Sequence, residues 1–274
     1  MEAFPQELID KVIDDLPHSS LRSCSLIGRR WRRRSQERFF ASIEFSYEHH
    51  LVRWWTKIPQ DSGGIPSYVR HVRFMFIHGW NEPTLFGRVL KTLTSMTSLF
   101  MLDTAIPPPD ELPGSVSFGE FGKKTKLLGL VSPRCTVATI TTLVLSLPNL
   151  ERFYLLGESP KKPPSTLPHA PQRGPFVELQ LHAARSGVGT TLAQCGLTSR
   201  KLSLIASDAG LEQLLTLSSE IVVELRLHGV WHFETLGEQE RYSRVSQIKT
   251  LPVHVKRSNL LLPFLFPRYL PFPL

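Results

Sequence analysis

Few side chains in this chain stand at spacings that could carry covalent chemistry. Gly187-Val188-Gly189-Thr190-Thr191 has the glycines of a phosphate-binding loop but no lysine among them, so it reads as a turn. His228 and His232 are four apart, the helical spacing for two ligands of one metal, yet Gly229 and Val230 between them argue against a helix. The adjacent His49 and His50 would face different directions in any regular element. No GxSxG, HExxH or paired carboxylate stands out. Cys24, Cys135 and Cys195 are widely separated, odd in number and free of CxxC spacing. They suggest neither a disulfide framework nor a zinc site, and fit a reducing cytoplasmic or nuclear setting. The expectation is therefore no enzyme: no catalytic residue, no cofactor and no metal.

Charge offers a second kind of chemistry. The net charge is +8, and Arg29, Arg30, Arg32, Arg33, Arg34 and Arg38 form its densest run. Such a run can contact phosphates or serve as a nuclear-import patch. It can equally be the solvated face of a helix with Trp31 turned inward. A base-reading helix would need Asn, Gln or Thr beside its arginines, and this one has almost none, so nucleic acid is kept as the alternative reading. The N-terminus lacks a charged head followed by an apolar core, so no secretion signal is expected. No apolar run reaches the length of a membrane span, since Leu260 to Leu274 is broken by Pro263, Pro267, Arg268, Pro271 and Pro273.

The elements that would position any site begin with FPQELIDKVIDDLP. Pro5 suits a helix start and Pro17 a helix end, and between them Leu8, Ile9, Val12, Ile13 and Leu16 share one face while Gln6, Glu7, Asp10, Lys11 and Asp14 share the other. Ser19 or Ser20 can cap a second helix bearing Leu21, Cys24 and Leu26; Ile27, Trp31, Ser35 and Phe39, each four apart, line a third.

The run Phe4-Pro5, Glu7-Leu8, Val12-Ile13, Leu16-Pro17, Leu21, Cys24-Ser25-Leu26-Ile27, Arg29 and Trp31-Arg32 resembles the F-box, a three-helix module of ubiquitin-ligase substrate receptors. It departs from the family pattern at Phe4, where Leu is usual, and at Gly28, inside the expected third helix. The resemblance implies docking onto a Skp-type adaptor of a cullin-based ligase through Phe4, Pro5, Leu8, Ile9, Val12, Ile13, Leu16, Leu21, Leu26 and Trp31. The region C-terminal to the module would then select a protein target. Three short helices cannot bury all of these apolar side chains against one another, so part of the surface calls for a partner.

Beyond the module, Leu51, Val52, Trp55 and Ile58 predict a helix over 47–58, ended by Asp61-Ser62-Gly63-Gly64. From residue 65 short apolar triplets recur: Val69/Val72/Phe74, Met96/Leu99/Met101, Leu150/Phe153/Leu155, Phe176/Leu179/Leu181 and Val222/Leu225/Leu227, with weaker copies at Leu128/Leu130 and Leu202/Leu204. Their middle positions, 72, 99, 128, 153, 179, 202 and 225, are spaced by 23 to 29 residues, the period of leucine-rich repeats. Helical stripes lie between them over 83–96 and after Asp208, while 136–147 fits helix or strand. No Asn follows the triplets to bond the turn backbone, so the repeats would be degenerate.

The expected fold class is α/β: an N-terminal three-helix F-box followed by an irregular leucine-rich-repeat-like α/β solenoid. Its parts are a helical module over 1–45, a linker helix and turn over 46–64, the solenoid over 65–232, and an irregular tail over 233–274. Residues alternating with the buried triplets would face the concavity, which places His71, Arg73, Phe100, Arg152, Tyr154, Gln180, Lys201 and Arg226 on a target-binding surface. Their mixed charges and aromatics suit a folded protein or peptide better than a phosphate backbone.

Overall fold

In the computed structural model, which describes residues 4–59, 64–106, 122–157, 174–182, 187–205, 211–228 and 253–255, the chain opens with three helices. They are α1 (Gln6–Asp15), α2 (His18–Ile27) and α3 (Arg29–Phe39). Pro5 and Pro17 stand immediately ahead of α1 and α2, where a missing N–H breaks no helical bond. Gly28 corrects the sequence reading. It does not sit inside a third helix but joins α2 to α3 through extended backbone, φ 174° and ψ 172°. Ile27 therefore closes α2 instead of opening α3.

The three helices share a small core of Ile9, Ile13 and Leu21, with Leu16, Trp31 and Phe39 partly buried against it. The remaining elements build one sheet and its helices. In chain order they are β1 (Ser42–Phe45), α4 (Glu48–Lys57), β2 (His71–Met75), α5 (Pro83–Thr92), β3 (Ser98–Leu102), β4 (Leu127–Val131), α6 (Val137–Ser146), β5 (Arg152–Leu156), β6 (Glu178–His182), α7 (Val188–Gln194), β7 (Lys201–Ile205), α8 (Leu211–Ser218) and β8 (Glu224–His228). A short ninth strand, β9 (Val253–Val255), pairs with β8. Every pairing is parallel and strand order equals chain order. Parallel neighbours require a crossover. Helices fill several of these, and α4 touches α5, α6 touches α7 and α7 touches α8.

The register follows the apolar triplets residue by residue. Val72 pairs with Leu99, Leu99 with Leu128, Leu128 with Phe153, Phe153 with Leu179, Leu179 with Leu202, and Leu202 with Leu225. All seven are buried in one continuous core. The row extends in both directions beyond the sequence reading, to Ile43 on β1 and to Val253 on β9. The helix expected in the linker is α4, and its Leu51 and Trp54 are buried in the main core. Val253–Val255 places a strand within the expected irregular tail. The two weaker repeats have a physical cause: where the others bury an apolar residue before the strand, these bury Thr125 and Ser199.

The missing asparagines are replaced by backbone. At the end of β2, β3, β4 and β5 the next residue takes positive φ: Phe76 (57°), Asp103 (44°), Ser132 (47°) and Gly157 (81°). Each donates its N–H to the last carbonyl of the following strand, those of Leu102, Val131, Leu156 and His182, at 2.8, 2.8, 2.8 and 3.3 Å. The left-handed turn and the ladder bond together make the corner. The ambiguous 136–147 stretch is helical, with the Thr136 hydroxyl accepting the Thr139 N–H at 3.1 Å. Gly187, expected in a turn, is the left-handed residue that starts α7, and Val188 to Thr191 are helical. Asp61 to Gly63, Asp208, Gly229, Val230, His232 and the apolar tail after 255 lie outside the described residues. No helix among the described residues is long and apolar enough to cross a membrane.

A chain of rings joins the helical module to the sheet. His18 stacks on Phe39 at 5.0 Å between centroids, Phe39 meets Phe40 at 5.0 Å, Phe40 meets Trp54 at 6.4 Å, Trp54 meets Phe45 at 5.9 Å, and Phe45 stacks on Phe74 at 5.3 Å. These distances fall within the favourable range for aromatic pairs. Together with contacts between α3 and a 3-10 turn at Ile65–Tyr68, they tie the two parts through packed side chains.

Candidate functional site

Helix α1 presents apolar residues on two faces. Ile9 and Ile13 turn into the three-helix core, at 5% and 0% exposure, whereas Leu8 and Val12 remain 48% and 49% exposed. Spacing of i and i+4 keeps Leu8 and Val12 together on the outer face. With Phe4, Ile9, Ile27, Gly28 and Trp31, and with Arg29 and Arg30 at its side, they line an open groove of about 610 Å³ over that face. Phe4, Leu26 and Ile27 are among the most exposed large apolar side chains of the described residues, at 71%, 75% and 64%.

The residues expected at the adaptor surface therefore divide. Phe4, Pro5, Leu8, Val12 and Leu26 face solvent; Leu16 and Trp31 are half-buried; Ile9, Ile13 and Leu21 are enclosed in the module's own core. Ile27 lines the groove and was not among the expected site residues. The signal for it was Gly28, since a helix boundary there puts Ile27 at the end of α2.

Arginines from α3 hold α1 in place. Arg34 bonds both carboxylate oxygens of Asp14, at 2.8 and 2.7 Å, and reaches Glu37 at 3.4 Å. The hydrogen bond from Arg34 holds the Asp14 carboxyl below the usual range, and Asp14 in turn raises Arg34. Arg38 donates to the carbonyl of Leu16 at 3.2 Å and to that of Ile13, which ties the end of α1 to α3. Arg30 donates to the Gln6 side chain at 3.1 Å and to the carbonyl of Phe4, and Arg33 pairs with Glu37 at 3.0 Å. Much of the basic run is thus engaged in assembling the module. Arg29 and Arg32 point outward.

The second surface is the open face of the sheet. In β2 to β8 the residues between the buried ones fall on it, and the expected His71, Arg73, Phe100, Arg152, Tyr154, Gln180, Lys201 and Arg226 all do so. Register aligns Arg73, Phe100, Gly129 and Tyr154 across four strands. Gly129 is covered by Phe100: a Cβ there would stand 2.3 Å from two ring carbons, so the ring lies over the backbone of β4.

The polar groups beyond β5 satisfy one another. The Tyr154 hydroxyl donates to Glu178 at 2.9 Å and the Gln180 amide to Glu178 at 2.6 Å. Burial, followed by this carboxylate, pushes the Tyr154 phenol up to about 12. Glu224 pairs with Lys201 at 3.1 Å and accepts from Arg226 at 2.7 Å, and both cations hold it below the usual carboxylate range. His182 lies 2.7 Å from the Ser203 hydroxyl. On β2, the His71 ring meets the Ser98 hydroxyl at 2.8 Å, and burial, then Arg73 and Arg70, lowers its pKa. The side chain of His228, considered above as a metal ligand, lies outside the described residues.

No protein-family model matches this sequence, and comparison with curated proteins finds no match.

Proposed function

We propose that this chain is a substrate receptor of a Skp–cullin–F-box type ubiquitin ligase. In this reading α1 to α3 form an F-box that docks a Skp-type adaptor, and the consecutive parallel strands form an irregular leucine-rich-repeat-like solenoid that presents a protein target to the ligase. The chain itself contributes binding and positioning, and catalysis belongs to other subunits of the ligase. The observation that carries the reading is the groove between Phe4, Leu8, Val12 and Ile27, an apolar surface left open beside a module whose sequence resembles the F-box. A strip of this kind on a module of some forty residues is the form in which a partner helix is usually received. The ring chain from His18 to Phe74 supports the second half of the reading, because a receptor must hold its target at a defined place relative to the adaptor.

The nucleic-acid alternative is weakened by the contacts of α3, whose Arg30, Arg34 and Arg38 are bonded to α1. Coexpression with a Skp-type adaptor tests the proposal. The two chains should elute together, and Val12→Asp should abolish coelution while leaving the circular dichroism unchanged. A folded chain that never coelutes with the adaptor would refute it.

A further inference from the structure

We infer that the groove over α1 receives a partner helix whose apolar face ends in a carboxylate, and that Arg29 and Arg30 select that carboxylate. In the receptor reading above, on which this rests, the helix belongs to the adaptor. The first support is the make-up of the lining. Phe4, Leu8, Val12 and Ile27 supply its apolar part, its charged groups are Arg29 and Arg30, and no carboxylate lines it. At about 1.5 Å per residue the strip from Phe4 to Val12 is roughly 12 Å long, which matches about two turns of an apposed helix.

The second support is the state of the two cations, both of which are exposed. Arg29 makes no hydrogen bond or ion pair among the described residues. Arg30 is fixed, but by neutral acceptors: it donates to the Gln6 side-chain oxygen at 3.1 Å and to the Phe4 carbonyl, while the Gln6 amide donates back to the Arg30 carbonyl at 2.9 Å. Its guanidinium keeps its charge and has N–H donors to spare, on a side chain that is already ordered, so a carboxylate can be received there at little further entropic cost. The carboxylates nearby do not cancel this charge. On the other side of Arg29 and Arg30 a second cleft is lined by Asp10, Arg33, Arg34 and Glu37. Glu37 is engaged by Arg33 at 3.0 Å and by Arg34 at 3.4 Å, and Arg34 also holds Asp14 at 2.7 Å. Asp10 is left facing both Arg29 and Arg30, and the bond it accepts comes from Gln6, at 2.7 Å. The first turn of α3 has no acidic residue of its own, so the positive end of that helix adds to the surplus. Complementary potential then favours an acidic partner at this end of the groove.

Titration of the full chain with a Skp-type adaptor over a salt series tests this. Arg29→Glu should weaken binding about tenfold at low ionic strength and flatten its salt dependence, with circular dichroism unchanged, whereas Lys57→Glu, the same change of charge on α4, should alter neither. Among adaptor variants that exchange one carboxylate at a time for Lys, one should lose affinity for the parent chain and regain it for Arg29→Glu. Gly28→Leu should block docking with the fold intact, because the backbone there is extended and a Cβ would meet nothing within 4 Å. Equal binding by the parent and Arg29→Glu, the absence of any rescuing adaptor position, or undiminished docking of Gly28→Leu would overturn the inference and leave the receptor reading standing. If the adaptor does not bind the parent chain, the receptor reading falls, and a synthetic amphipathic helix with a Leu face ending in Glu decides the inference alone. It should bind the parent more tightly than the version ending in Lys; equal binding of the two, or none, would overturn it.

Discussion

Substitutions should separate the two apolar faces of α1. Ile13 is fully enclosed, so Ile13→Ala removes buried methyl groups and leaves a cavity, for which about 2–5 kcal/mol is typical. The cluster it belongs to is small, which places the expected loss near 2 kcal/mol. Leu8 and Val12 keep about half of their surface, so Leu8→Ala and Val12→Ala should lower stability by about 1 kcal/mol or less each. Their exposed half is what a docked adaptor would cover. Full burial of such a side chain is worth about 1.5–3 kcal/mol, so each truncation should weaken docking by about 1 kcal/mol, and both together by about 30-fold in Kd. Urea denaturation of each variant, followed by titration with a Skp-type adaptor, measures the two quantities on the same protein. Ile13→Ala should move mainly the first and Leu8→Ala/Val12→Ala mainly the second. If Leu8 and Val12 reduce stability as much as Ile13 does, the outer face is already packed by this chain and the division into two faces is refuted.

The sheet yields further tests. Gly157→Ala should destabilise the chain by about 1–2 kcal/mol, because φ is 81° and the new Cβ would meet the Ser132 hydroxyl at 2.4 Å; an unchanged denaturation midpoint would contradict the corner geometry. Phe153→Ala, in the centre of the buried register row, should lose about 3–5 kcal/mol by the same denaturation assay. His71 titrates below the ordinary histidine value of 6.5 in the folded chain, so the unfolded chain takes up the proton first. Its contribution to stability is then complete above that value and declines as pH falls below it, and His71→Gln should flatten this decline in a series of unfolding curves. The Cys135 thiol, pushed up to about 12 by burial, should alkylate with iodoacetamide far more slowly at neutral pH than free cysteine.

The repeat was legible because parallel strands buried on one face leave a fixed apolar signature, and seven middle positions read from spacing, 72 to 225, form one paired row. What escaped reading did so for local reasons. Strand β1 is four residues long, carries Glu44 on its open side and follows Phe39-Phe40, which extends the helical pattern of α3. Strand β9 has three residues and no triplet before it. Gly28 reads in sequence as a flaw within a helix because the i, i+4 series Ile27, Trp31, Ser35 runs through it, yet a glycine that poor in helix propensity separates two helices here. Met75, Leu102, Val131 and Leu156 each follow the last buried residue of a strand, so in sequence they merge with the core run, and only the pleat assigns them to the opposite face.

Hydroxyl-radical footprinting of the chain, alone and with a Skp-type adaptor, addresses the central claim at the side chains concerned. Phe4, Leu8, Val12, Leu26 and Ile27 should be oxidised readily in the free chain while Ile9, Ile13 and Leu21 are spared, and adaptor binding should protect Leu8, Val12 and their groove neighbours. Protection of Leu8 and Val12 in the free chain, or their continued oxidation in the presence of saturating adaptor, would contradict the account.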